Sequence, residues 1–136
     1  MSRRRLFIDG LAAWTPTLPD WDRLALALCN PDQPTADGAP QRPSPSLLAA
    51  NERRRAPDSV LMALQVAQQA VVASGHDAAG LASVFTSAHG DLPITDALCR
   101  TLAADPLLLS PTRFHHSVHN AASGYWAMGS ASRAAS

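Results

Sequence analysis

His115, His116 and His119 form the densest group of side chains in this chain that could bind a metal. Imidazoles three or four positions apart converge on one ion when the backbone between them is helical. The surroundings argue against that geometry. Pro111 and the polar residues around Ser117 and His119 predict a loop, no carboxylate follows Asp105, and neither cysteine is close. Hydrogen-bonded loop histidines are therefore expected, and no metal ligand is assigned. Cys99 has the chemistry of a nucleophile, but it stands between Leu98 and Leu102 on an expected helix, where a small buried thiol is the usual occupant. His89 follows an expected strand at the end where open α/β sheets place ligand groups, although a His-Gly turn is more often structural there. No catalytic or cofactor-binding residue is assigned.

The segment from Asn120 to Gly129 differs in kind. Ala121, Ala122, Gly124 and Gly129 are small, and each glycine costs a helix up to about 1 kcal/mol relative to alanine. Their presence suggests close backbone packing. Tyr125 and Trp126 beside them are the type of aromatic pair that anchors buried surfaces. Asn120, Gly124, Tyr125 and Trp126 are accordingly expected as packing or partner residues, with a core helix inside one chain and a subunit contact both open. Apart from Arg3-Arg4-Arg5, the one basic cluster is Arg53-Arg54-Arg55. It reads as a solvated linker edge, and a docking patch for an acidic partner is the alternative.

These residues need elements to position them. Leu6-Phe7-Ile8, closed by Asp9-Gly10, has the form of a buried strand. Asp20 can cap a helix running to Cys29, with Trp21, Leu24 and Leu28 on one stripe. Prolines 31, 34, 40, 43 and 45 make residues 30–46 an expected mobile surface loop. Pro57 opens a longer helix on which Val60, Leu64, Ala67 and Val71 recur, with Gly75 as a left-handed C-terminal cap. Leu81 to Ser87 is strand-like and runs into a small-residue turn. Pro93 begins a helix with Ile94, Leu98 and Leu102 on one face, ended by Asp105 and Pro106. A last helix starts near Asn120. The fold class expected is α/β with an incomplete sheet, because two apolar strands cannot form a stable parallel sheet alone.

The chain has 136 residues, 46% apolar and 16% charged, with a formal net charge of zero. A chain of this length can bury roughly two thirds of its unfolded surface in a single core. The charge balance argues against nucleic acid or an anionic membrane as a partner. Cys29 and Cys99 lie too far apart for a CxxC or Cys/His motif, which fits a reducing cytosol. Three apolar residues after Arg5 are too few for a signal segment, and no run approaches the roughly 20 of a membrane span. A soluble cytoplasmic protein is expected.

Five stretches stand out together: the opening from Arg3 through Leu6, Phe7, Ile8, Asp9 and Gly10 to Trp14, Thr15 and Pro16, then Glu52 to Pro57 (ERRRAP) and Ser87 to Leu92 (SAHGDL), followed by Ile94 to Arg100 (ITDALCR) and Ser110 to Trp126 (SPTRFHHSVHNAASGYW). In this order they resemble the ketosynthase-like N-terminal domain of β-ketoacyl synthases of the chain-length-factor type. The match keeps their order from about Arg3 to Gly129, and the last stretch is the most specific. The resemblance implies a thiolase-like layered fold whose sheets pair two subunits, with residues 1–136 forming a partial domain and the loop 30–46 inside it. It further implies acyl-carrier-protein-dependent fatty-acid or polyketide assembly, for example of aryl-polyene pigments, beside a catalytic ketosynthase subunit and with no cofactor. Condensation needs a thiol to hold the acyl chain and usually two histidines for the decarboxylating step. In the family these lie beyond the segment matching Asn120 to Gly129, so none carries over, and the run Ser130 to Ser136 is expected to mark a truncation. Such a chain is not expected to condense acyl groups alone. A non-enzymatic dimerisation module using Tyr125, Trp126 and the glycine-containing helix is the alternative, and a small hydrolase using Cys99 or the histidines is a distant third.

Overall fold

The computed structural model describes residues 5–32 and 39–135, so Arg3, Arg4 and the loop residues 33–38 lie outside it. Among the described residues six α-helices succeed one another: α1 (Trp21–Cys29), α2 (Ala50–Arg55), α3 (Asp58–Ser74), α4 (Leu92–Ala104), α5 (Pro111–His116) and α6 (Ala121–Ser130). Short 3-10 turns follow α3 and α4. The caps explain the boundaries. Asp20 is extended, and its Oδ1 accepts from the Arg23 N–H at 2.9 Å, satisfying one of the first-turn donors of α1. Gly75 ends α3 in the left-handed region at φ 71°, where its N–H donates to the Val71 carbonyl at 3.1 Å. Asp91 caps α4 by accepting from the Ile94 N–H at 3.0 Å.

The core lies where α3 meets α6. Leu61 and Leu64 are fully buried, and Val60, Ala121, Tyr125 and Trp126 close around them with Leu48 and Ala56. Phe85 tilts onto Trp126 with ring centroids 6.2 Å apart, a favoured aromatic geometry. The α3 stripe of Val60, Leu64, Ala67 and Val71 faces this core as its period predicts, with Val60 and Leu64 buried and the other two packed at its margin.

The expected α/β architecture is not what the chain forms, because the described residues contain no strand and no sheet. Leu6, Phe7 and Ile8 are 96%, 79% and 83% exposed rather than buried in a sheet. Residues 81–87 are irregular, and among the described residues their backbone bond to a distant partner is Ser83 N–H to the Ala135 carbonyl at 3.0 Å. The physical reason is that a strand exists only as one side of a ladder. No backbone hydrogen bond joins 6–8 to 81–87 among the described residues, so apolar runs of strand composition stay unpaired.

Two helices replace expected loop or linker. α5 begins at Pro111, whose missing N–H falls in the first turn where no acceptor is needed, and Ser110 Oγ accepts from the Arg113 N–H at 3.4 Å. The arginine run forms the last turn of α2, where cations suit the helix dipole. Arg53 is half-buried, and its Nη1 donates to the carbonyls of Pro45 at 3.2 Å and Leu48 at 2.8 Å, so it is a staple rather than a solvated edge. Further bonds fasten the end of the proline-rich stretch to α3. Ser44 N–H donates to Gln65 Oε1 and Leu47 N–H to Gln68 Oε1, both at 3.1 Å, while Arg42 Nε reaches Asp58 Oδ1 at 2.7 Å.

The glycines of α6 separate by environment. A Cβ on Gly129 would stand 2.9 Å from Leu47 Cγ, whereas a Cβ on Gly124 would meet nothing within 4 Å. Close packing therefore accounts for Gly129 and not for Gly124. Gly124→Ala is expected to raise the urea unfolding midpoint, by about 1 kcal/mol of helix propensity, and Gly129→Ala to lower it by about 1–3 kcal/mol through overpacking. Leu64→Ala should cost about 2–5 kcal/mol. Equal effects at the two glycines would contradict the packing described.

Candidate functional site

His116 and His119, but not His89, Cys29 or Cys99, line a groove of about 320 Å³ between the start of α3, residues 85–91 and the turn from α5 into α6. Its polar lining includes Ser59, Ser87, Asp91, His116 and His119, with Val60, Phe85 and Ala121 among its apolar walls. Asp91 organises one side. While its Oδ1 caps α4, its Oδ2 accepts from the Ser59 hydroxyl at 2.7 Å, so one carboxylate joins the starts of α3 and α4. Next to it Gly90 adopts φ 62°, a left-handed turn that glycine tolerates, and its N–H donates to Ser87 Oγ at 2.9 Å. The His119 ring covers this turn, with Cε1 3.5 Å from where a Gly90 Cβ would stand.

His116 forms the other side. It is 8% exposed, and its Nε2 lies 3.0 Å from the Tyr125 hydroxyl in a buried hydrogen bond. Burial first, and then the neighbouring His115, whose ring is 5.8 Å away, push the His116 pKa below the ordinary 6.5, while Asp91 acts in the opposite direction. Burial first, and then Glu52, push the Tyr125 phenol above its ordinary 10.0, with Arg55 opposing. Both members of the pair are thus held uncharged near neutrality.

An uncharged imidazole bonded to a phenol positions two helices, but it lacks an activated nucleophile. Ser59 is committed to Asp91, Ser87 accepts from a backbone amide, and no cysteine lines the groove. Cys29 and Cys99 are both exposed. The expectation of a buried Cys99 fails because consecutive helical positions diverge by about 100°, so the residue after half-buried Leu98 turns outward. His89 is exposed outside the groove. Among the described residues no group of three or more His, Cys, Asp or Glu is placed to hold a metal, and none of their helices is long and apolar enough to cross a membrane.

Of the four residues expected in packing or partner roles, Tyr125 and Trp126 enter the core, whereas Asn120 and Gly124 are exposed. Sequence reading missed the Ser59–Asp91 and His116–Tyr125 bonds. Asp91 ahead of Leu92-Pro93 carries a readable cap signal, but its link to Ser59 spans 32 positions and leaves no periodic trace.

The family model for β-ketoacyl synthase, N-terminal domain, matches residues 28–136. No curated protein and no solved structure matches the chain.

Because the folded-state pKa of His116 is depressed, the stability it contributes is complete above about pH 6.5 and is lost as pH falls through the folded value. The urea midpoint should therefore fall on acidification from neutral pH, and His116→Gln should remove that component. A midpoint that rises would contradict the pairing. Tyr125→Phe strips His116 Nε2 of its partner and is expected to cost about 1–3 kcal/mol at neutral pH.

Proposed function

The chain belongs to the β-ketoacyl synthase family through its N-terminal domain, and on that premise we propose that it serves acyl-carrier-protein-dependent chain assembly beside a catalytic ketosynthase subunit, without condensing acyl groups itself. In this reading it is a chain-length-factor-type member acting in cytoplasmic fatty-acid or polyketide synthesis, with aryl-polyene pigment assembly as the example its motifs favour.

The observation that carries the reading is the placement of the thiols. Condensation transfers an acyl group onto a cysteine thiolate and then stabilises charge on the decarboxylating thioester with neighbouring imidazoles. Here Cys29 and Cys99 stand exposed, and neither lines the groove that holds His116 and His119. The buried imidazole is already bonded to Tyr125. The groove thus offers no thiol beside its histidines. The stretches ERRRAP, SAHGDL and SPTRFHHSVHNAASGYW support the finer chain-length-factor assignment. A dimerisation module built on Tyr125 and Trp126 is less well supported, because both side chains are enclosed in the chain's own core.

The test is malonyl-carrier-protein condensation with this chain alone and with a catalytic ketosynthase added. No turnover is expected from the chain alone, and Cys29→Ser with Cys99→Ser should leave any partner-dependent turnover unchanged. Condensation above background by the chain alone would overturn the proposal.

A further inference from the structure

Of the six residues of α5, His116 alone is buried and the other five are exposed. Phe114 leaves 65% of its surface in water, so the helix has no second apolar anchor of comparable burial. Among the described residues, the bond between His116 Nε2 and the Tyr125 hydroxyl is the one side-chain hydrogen bond that ties α5 to another helix. A six-residue helix is too short to persist on its own propensity and depends on such tertiary contacts. His116 is therefore the one buried side chain in that attachment, alongside the packing of α5 against α4, and imidazole is the side chain whose charge changes most readily at physiological pH.

The groups facing His116 decide what a proton does there. His115 lies on the same helix, Tyr125 on α6, Asp91 at the start of α4 and His119 in the turn beyond α5. Glu52 and Arg55 of α2 act on Tyr125. An imidazolium held in this place loses water and sits beside a second imidazole, with the carboxylate of Asp91 already occupied by Ser59 and the Ile94 N–H. Moving α5 outward hydrates the charge and withdraws one buried side chain, whereas Leu61, Leu64 and Trp126 stay enclosed by other elements. Local opening is then less costly than loss of the core.

We propose that α5 is an acid-released latch: protonation of His116 detaches the helix from Tyr125 and removes the wall that His116 and the following turn give to the groove. The two states are a docked helix with a neutral His116 and an undocked helix with a hydrated imidazolium, and pH sets their ratio. This device is independent of whether the chain acts beside a ketosynthase.

Amide hydrogen exchange of the full chain, compared at about pH 7.5 and about pH 5 and corrected for intrinsic exchange, reads the latch directly. The reporters are the amides of Phe114 and Ser117, which donate to Ser110 and Arg113 carbonyls, against that of Leu61 in α3. Acidification is expected to reduce protection in α5 by about tenfold more than in α3, and His116→Gln, neutral at both values, should abolish that difference. Loss of protection in α5 and α3 in step would overturn the latch, and so would a pH dependence in α5 that survives His116→Gln. The wild-type comparison decides the matter by itself should the variant fold poorly.

Discussion

Leu61 and Leu64 have no surface in water, and what encloses them is α6, packed against α3 through Tyr125, Trp126 and Ala121. The rest of the fold depends on this contact. It gives α3 a buried stripe, gives the 42–48 segment a rigid rail of glutamine acceptors to bond to, and fixes the phenol to which α5 attaches. In a helical chain without strands among its described residues, no sheet shares that role. Burial of leucine and aromatic surface is also the largest favourable contribution a chain of this size has available.

The groove follows from the same contact. Val60 and Ala121 form its floor from α3 and α6, Asp91 draws the start of α4 toward α3, and His116 closes the side. Several of its polar groups are engaged with one another: hydroxyl with carboxylate, hydroxyl with backbone amide, imidazole with phenol. Such pairing stabilises structure. Neither Cys29 nor Cys99 lines the groove that holds His116 and His119.

Local signals were readable where a single residue suffices. Asp20, Pro57 and Gly75 each mark a helix end through a cap, a fixed φ or a left-handed turn, and those three boundaries stand where the residues put them, whereas α4 begins one residue before Pro93, at Leu92 behind the Asp91 cap. The family was legible in the motif order, above all from Ser110 to Trp126. The α/β fold was misread because strand composition at Leu6-Phe7-Ile8 and residues 81–87 is local, while pairing needs a neighbour that composition does not name. α5 was missed because six residues are too few to display a helical period, and Pro111 suits a first turn as well as a loop. The histidine group held its real relationship with a tyrosine nine positions away, on a different helix, rather than among its own members.

The central functional claim is partnership with a catalytic ketosynthase, and the measurement that meets it most directly is the solution mass of the chain alone and mixed with that subunit, by size exclusion and pull-down. A mixed complex that forms at the expense of the isolated chain is expected. A stable homodimer indifferent to added ketosynthase would contradict the claim.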